Sequence, residues 1–186
     1  DGAFLVGDYT PHSRESNTSS EGIAALKKVF RPVVGDNMLF TQGNHDHVDT
    51  VGLAKDGNND PASGKYGVFV INENDYSAYG GGSAAVANQL TAYFNEKVSG
   101  DWGNKPIFVL CHVPLHYSMR TETSNSGKTA RPMVDVLNEA GANGLNILFL
   151  FGHNHSGDYD SYLGGSSIYL AKGDTMLIAK PENYKE

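Results

Sequence analysis

Short apolar runs alternate with amphipathic segments along the chain, and this alternation predicts an α/β architecture. The apolar runs are predicted as strands over Ala3–Val6, Met38–Thr41, Tyr66–Ile71, Ile107–Cys111, Ile147–Phe151, Ser167–Ala171 and Met176–Ala179. The first of these runs is apolar enough that we expect it inside a sheet with both faces covered. No internal repeat or linker divides the 186 residues, so we expect a single domain over 1–186.

Three segments between the predicted strands carry apolar residues on one helical face, which predicts three amphipathic helices. The three faces are Ile23, Leu26, Val29 and Phe30; Val86, Leu90, Tyr93, Phe94 and Val98; and Met133, Val136, Leu137 and Ala140. We expect these side chains to belong to the core. Two polar stretches, His47–Gly64 and Met119–Thr129, are predicted as surface loops.

Composition and charge narrow the classes of function. The chain has 14 Lys and Arg against 21 Asp and Glu, a formal net charge of -7, which predicts no general affinity for nucleic acid. Cys111 is the only cysteine, so disulfide frameworks and zinc sites built on cysteine pairs are excluded. No apolar run approaches the roughly 18 residues of a membrane span. Abundant Gly, Asn, Ser and Tyr lean towards a secreted or cell-surface protein, but localisation stays open.

Four predicted strands end in side chains that can bind a metal, within "FLVGDYT", "LFTQGNHD", "IFVLCHVP" and "ILFLFGHNH". Ligands collect beyond the carboxyl ends of parallel strands, where loops converge on a rigid support. We therefore expect one site, whose candidate residues are Asp8, Asn44, His45, Asp46, His112, His153 and His155.

The donor types favour a particular group of metals. Imidazole nitrogen together with carboxylate and amide oxygen suits Zn, Mn or Fe, whereas calcium prefers nearly all-oxygen sites. Taken singly, Asp8 could be a turn residue, His112 a core histidine, and His153 and His155 surface histidines. Their joint occurrence at strand ends favours a metal site. His12, His47 and His116 are not assigned as ligands.

The ordered motifs "GDYT", "GNHD", "CHVP" and "GHNH" resemble motifs two to five of the calcineurin-like metallophosphoesterase superfamily. The resemblance covers Gly7 to His155. It implies a two-metal hydrolase on a four-layer α/β/β/α sandwich with two mixed β-sheets. It also implies two divalent or trivalent metal ions, which would be Mn, Fe or Zn.

Roles for the site residues follow from the resemblance, motif by motif. Asp8 would bridge both ions, and His155 would help to hold the second ion. The ligands of the first ion would also include Asn44, His112 and His153. His45 would lie near the leaving-group oxygen, where it would donate a proton or stabilise charge. Asp46 is a candidate for orienting His45, by adjacency only.

Two departures from the family pattern are visible. The family's first motif, Asp-x-His, supplies the other ligands of the second ion and occurs nowhere in this sequence. The chain also begins without methionine and enters an apolar run at once, so we expect an N-terminal truncation and a missing segment that completes the site. In addition, many members have an acid three residues after the metal-binding aspartate, where this chain has Pro11.

The expected function is metal-dependent hydrolysis of phosphate esters, in which two ions share a hydroxide that attacks phosphorus. The partner would be a small phosphate ester or a phosphorylated macromolecule, and the sequence does not separate a monoester from a diester. This polypeptide alone is expected to have little activity. Two alternatives remain open: a non-catalytic binding module stabilised by metal, and a carbohydrate- or surface-binding domain of a secreted protein.

Overall fold

A computed structural model describes residues 2–9, 18–43, 46, 52–72, 82–112, 125–152, 168–172 and 175–178. The strands are β1 (Ala3–Val6), β2 (Met38–Thr41), β3 (Gly57–Asn58), β4 (Gly67–Ile71), β5 (Pro106–Cys111), β6 (Asn146–Leu150), β7 (Ile168–Lys172) and β8 (Thr175–Ile178). The helices are α1 (Thr18–Val34), α2 (Gly82–Val98) and α3 (Asn125–Ala142).

The strands form two sheets. β1 and β2 pair in parallel, and the other six strands form a sheet in the order β3-β4-β5-β6-β7-β8. Within it β4, β5 and β6 are parallel, and the remaining pairs are antiparallel. Parallel neighbours need a crossover connection, which α2 supplies between β4 and β5 and α3 supplies between β5 and β6. The carboxyl ends of β4, β5 and β6 therefore lie along one edge.

The six-stranded sheet has an apolar layer on each face, because successive side chains of a strand point to opposite faces. In β5, Ile107, Val109 and Cys111 pack with the cluster that contains α2 and α3, while Leu110 belongs to the opposite cluster. The helix side of the core includes Leu90, Tyr93, Phe94, Met133, Leu137, Ile147 and Phe149. Burial of these side chains is the main favourable contribution to folding.

The opposite face of this sheet packs against the two-stranded sheet. Buried Val68, Val70 and Leu110 contact Phe4 and Val6 of β1, together with Leu39 of β2. The ring of Phe4 lies 4.9 Å from that of Phe108, centroid to centroid. This packing sets the carboxyl end of β1 beside that of β5, and α1 contacts β2.

Two sheets with flanking helices confirm the mixed α/β fold. The larger sheet is mixed as expected, whereas the described part of the smaller sheet is a single parallel pair. β1 pairs along one edge there, and its four side chains are only partly buried. The complete α/β/β/α order of layers stays a prediction, as does the single domain over 1–186.

Each of the predicted strands is found, and no end differs from the prediction by more than one residue. The predicted loop His47–Gly64 also contains β3, which is too short to leave an apolar pattern. The predicted loop Met119–Thr129 is wrong from Asn125 onward, because α3 begins there with polar residues and no apolar stripe.

The stripes of α2 and α3 are confirmed except at Val98, whereas the stripe of α1 is confirmed only in part: Ile23 is buried, Leu26 and Phe30 are partly buried, and Val29 is exposed. Val29 of α1 is 67% exposed, since it lies about 100° around the helix from Phe30 and falls outside the packed face. Val98, the last residue of α2, is 41% exposed. Among the residues that the structure describes, none of the helices is long and apolar enough to cross a membrane.

Candidate metal centre

The carboxyl ends of β1 and β5 bring two of the predicted ligands into contact. Oδ2 of Asp8, which follows β1, lies 3.1 Å from Nε2 of His112, which follows β5. Both side chains are removed from solvent, His112 almost completely. The packing of the two sheets therefore creates a pair of donor atoms from distant parts of the sequence.

A backbone contact determines which nitrogen of His112 faces the aspartate. Nδ1 lies 2.7 Å from the carbonyl oxygen of Val6. Because a carbonyl oxygen only accepts hydrogen bonds, we assign the ring proton to Nδ1. In the neutral ring Nε2 then directs a lone pair towards the Asp8 carboxylate, and a proton or a metal cation would stabilise this arrangement.

The donor pair fits a metal ion. Imidazole and carboxylate are the ligand types that zinc, manganese and iron share. Two ligands at about 2.1 Å from one ion and at about 90° to each other lie about 3 Å apart, which agrees with the observed separation. A ligating histidine usually donates its second ring N–H to a backbone carbonyl or a carboxylate, as His112 does to Val6.

The backbone at Asp8 adopts a conformation that is uncommon for a residue with a side chain. Its φ is 58°, directly after Gly7 with a φ of 85°. A left-handed non-glycine residue costs on the order of 1–3 kcal/mol and persists only where its surroundings hold it. The turn directs the Asp8 carboxylate back over the strand ends, towards His112.

Two of the glycines that precede the predicted ligands are required by close packing. A Cβ on Gly43 would lie 2.4 Å from Oδ1 of Asp8, and a Cβ on Gly7 would lie 2.6 Å from Nδ1 of His112. Neither position has room for a side chain. The third glycine, Gly152, donates its N–H to the carbonyl oxygen of His112 at 3.0 Å, which places the end of β6 beside that of β5.

Asp46 lies beside Asp8, and its carboxylate binds backbone N–H groups from two strand ends. Oδ2 accepts from the N–H groups of Asp8 at 2.6 Å and Gly43 at 2.8 Å, and Oδ1 accepts from Tyr9 at 2.9 Å. The side chain is buried. These bonds hold Asp46 against the chain at Asp8, while its predicted role in orienting His45 stays a prediction.

Tyr9 is a site residue that the sequence analysis did not identify, and its position directly after Asp8 was the only signal for it. Its hydroxyl lies 2.7 Å from the Leu5 carbonyl and 2.6 Å from the Thr41 carbonyl, and it accepts a hydrogen bond from the Gly7 N–H at 3.0 Å. Burial raises the pKa of this phenol, so it remains protonated and can donate. Tyr9 thus links the ends of β1 and β2 beneath Asp8.

Asn72, at the end of β4, connects this region to the larger sheet. Its Oδ1 accepts from the backbone N–H of Gln42 at 2.9 Å, and its Nδ2 donates to the carbonyl of Ala54 at 3.1 Å. The Gln42 side chain in turn donates to the carbonyl oxygen of Asp46 at 3.0 Å. The position of Asn72 directly after a buried strand was the signal that could have identified it.

The structure thus brings together Asp8, Asp46 and His112. The other predicted site residues, Asn44, His45, His153 and His155, lie outside the described residues. Within the part of the chain that is described, no group of three or more His, Cys, Asp or Glu side chains forms a metal cluster. The complete ligand set therefore stays a prediction.

Comparison with protein families confirms the resemblance that the four motifs indicate. The family model for calcineurin-like phosphoesterases matches residues 1–157. The chain belongs to the calcineurin-like phosphoesterase family. The match includes all four of the motifs from Gly7 to His155, and the family generally consists of metal-dependent phosphoester hydrolases. Comparison with curated proteins gives no significant match, and comparison with solved structures gives none either.

Proposed function

We propose that this calcineurin-like phosphoesterase hydrolyses phosphate esters at a dinuclear metal site built on the carboxyl ends of its strands. The observation that carries the proposal is the pairing of Asp8 Oδ2 with His112 Nε2 at 3.1 Å, with the other ring nitrogen occupied by Val6. Family membership supports the same chemistry. The proposed substrate is a small phosphate ester or a phosphorylated macromolecule.

The proposed ligand set extends the observed pair by motif position. Asp8 would contribute to both ions, because a carboxylate has two oxygens that can bind. Asn44, His112 and His153 would hold one ion, and His155 would help to hold the other. Mn, Fe and Zn all accept this mixture of nitrogen and oxygen donors.

When bound, the ions would lower the pKa of a water molecule and offset charge on the phosphoryl oxygens. The water would give one proton to solvent and attack phosphorus in line as the bond to the leaving oxygen breaks, so no protein nucleophile is required. We assign to His45 the transfer of a proton to the leaving oxygen. The chain's contribution is to hold Asp8 and His112 in position before substrate arrives, through the Val6 carbonyl and the turn at Gly7.

The net charge of -7 is compatible with this proposal. A negative surface alone would repel a phosphate ester. Two multivalent cations at the strand ends reverse the local sign of the potential where the substrate binds.

The ligands of the second ion are incomplete in this sequence, because no Asp-x-His motif occurs in its 186 residues. We propose that they come from a segment outside this sequence. The polypeptide as given would then bind one ion and hydrolyse phosphate esters slowly. Two tightly held ions per chain by calorimetry, or rapid turnover by this polypeptide alone, would contradict that part of the proposal.

The test is a hydrolysis assay with p-nitrophenyl phosphate and bis(p-nitrophenyl) phosphate, with and without Mn²⁺, on the chain alone and on a form extended upstream. We expect metal-dependent turnover that chelation with EDTA abolishes, and little or none in Asp8→Asn. The preferred ester would separate a monoesterase from a diesterase. Activity that survives both EDTA and Asp8→Asn would overturn the proposal.

A further inference from the structure

The carboxylate of Asp46 accepts hydrogen bonds from three backbone N–H groups at the ends of the two neighbouring strands β1 and β2. The N–H groups of Asp8 and Tyr9 belong to the chain after β1, and that of Gly43 belongs to the chain after β2. All three bonds are between 2.6 and 2.9 Å. Bonds from N–H to an ionised carboxylate are roughly twice as strong as neutral ones.

These bonds bear directly on the conformation of Asp8. Gly7 and Asp8 are both left-handed, and the N–H groups of Asp8 and Tyr9 point to opposite oxygens of the same carboxylate. Consecutive N–H groups directed at one anion form a recognised anion-binding arrangement of the backbone. Here the anion is a side chain of the same protein, and it stabilises the turn that directs Asp8 at His112.

Asp46 is itself fixed in place. Its own backbone N–H donates to the Gly43 carbonyl at 3.1 Å, and its carbonyl accepts from the Gln42 side chain at 3.0 Å. Gln42 is in turn bound through its backbone N–H to Asn72 at the end of β4. A chain of hydrogen bonds through Gln42 and Asp46 therefore connects the end of β4 in the larger sheet to the backbone at Asp8.

We propose that Asp46 is a positioning residue for the metal ligand Asp8, acting on its backbone. This assignment rests on the proposed function, since it takes Asp8 as a ligand. Loss of the Asp46 charge would leave buried N–H donors poorly paired and remove the support for the left-handed turn. The Asp8 carboxylate would then be displaced from His112, and metal affinity would fall although no ligand had been removed.

The test compares Asp46→Asn with two matched variants. Asp8→Asn removes the ligand carboxylate but keeps Asp46. Asp60→Asn alters a carboxylate away from the site that likewise accepts a backbone N–H, from Val68 at 2.8 Å. Amide ¹H–¹⁵N spectra of the metal-free proteins give the chemical shifts of the three N–H groups that bind Asp46. Calorimetry gives the Mn²⁺ affinity of each variant.

In the metal-free spectra of Asp46→Asn we expect large shifts of the amides of Asp8, Tyr9 and Gly43. We also expect Mn²⁺ affinity to fall about 10- to 100-fold, the usual effect of changing a residue that supports a ligand. Asp8→Asn should bind Mn²⁺ least. Asp60→Asn should bind Mn²⁺ as the wild type does, although it is less stable.

Two outcomes would overturn the assignment. One is a Mn²⁺ affinity of Asp46→Asn equal to that of the wild type; lowered turnover in the hydrolysis assay at that unchanged affinity would assign Asp46 to His45 instead. The other is an equal loss of affinity in Asp60→Asn, which would trace the effect to general destabilisation. If the wild type binds none of Mn²⁺, Fe²⁺ and Zn²⁺, the proposed function itself fails, and that result is distinct from both.

Discussion

Nδ1 of His112 lies 2.7 Å from the carbonyl oxygen of Val6, and this contact ties the end of β5 to the end of β1. It joins the two sheets at the candidate metal centre. It also orients the imidazole so that Nε2 faces Asp8. A single hydrogen bond therefore couples the packing of the sheets to the geometry of the proposed ligand pair.

Replacement of His112 should remove metal binding. We expect His112→Phe to weaken Mn²⁺ binding more than about 100-fold, beyond the usual effect of changing a supporting residue. Phe fills the buried space better than Ala would, so loss of the ligand is separated from formation of a cavity. His12→Ala, which removes an imidazole outside the predicted ligand set, is the control. Calorimetry on both variants measures the Mn²⁺ affinity. If His112→Phe binds Mn²⁺ as tightly as His12→Ala does, His112 is not a ligand.

Gly43→Ala should distort the site from the neighbouring strand end. The new Cβ would lie 2.4 Å from both the N and Oδ1 atoms of Asp8, so the Asp8 turn must move. We expect a loss of about 1–3 kcal/mol in the free energy of unfolding, typical of overpacking, together with weaker Mn²⁺ binding.

Gly103→Ala is the matched control, because the nearest atom to its Cβ would be 3.9 Å away. It should leave both the denaturant midpoint and the Mn²⁺ affinity close to wild type. If the two alanine variants behave alike, the close approach of Gly43 to Asp8 is not what limits this site.

The strands and the convergence of Asp8 with His112 could be predicted because both leave local signals. β1, β2, β5 and β6 are short apolar runs, and a polar or metal-capable residue follows each where a parallel strand must end. Parallel pairing places the end of β1 beside that of β2 and the end of β5 beside that of β6, and the packing of the two sheets then brings Asp8 to His112. The same reasoning placed Asp46 near the site, since it follows β2.

The interactions that hold the site could not be predicted, because they join side chains to backbone across long stretches of sequence. The Asp46 carboxylate binds the backbone of Asp8 and Tyr9, 38 and 37 residues away. The period of the hydrophobic pattern indicates which face of a helix or strand a residue occupies. It does not indicate which backbone N–H groups will donate hydrogen bonds to a given carboxylate. The exposure of Val29 could not be predicted either. This residue lies at the edge of the apolar stripe of α1, and the sequence does not show how much of that stripe is covered by the rest of the protein.

A buried ion pair far from the site provides a separate test of stability. Lys97 Nζ pairs with Asp60, and the two side chains are 4% and 17% exposed. Lys97 also lies 4.3 Å from the ring centroid of Trp102. Removing one partner of a buried pair leaves an uncompensated charge and typically costs about 3–5 kcal/mol.

We therefore expect Asp60→Ala to lower the free energy of unfolding by about 3–5 kcal/mol, as measured by urea titration. Arg31→Ala breaks an exposed pair, with Asp36 at 2.7 Å, whose side chains are 66% and 79% exposed. It should cost at most about 1 kcal/mol. Equal losses in the two variants would show that burial does not distinguish these pairs.

The hydroxyl of Tyr93 should make the protein sensitive to alkaline pH. Burial, reinforced by the hydrogen bond to Asp60 Oδ1 at 2.7 Å, raises the pKa of this phenol. In the unfolded chain a tyrosine ionises near pH 10. Above about that pH the unfolded state loses its proton while the folded state retains it, so the free energy of unfolding must fall as pH rises.

Tyr93→Phe should therefore reduce the slope of stability against pH above about 10, although it costs about 1 kcal/mol at neutral pH through the lost hydrogen bond. Urea unfolding at a series of pH values from 7 to 11 gives both quantities. If the slope in Tyr93→Phe matches that of the wild type, the alkaline sensitivity arises elsewhere, and the protonated Tyr93 contributes to stability only through its bond to Asp60.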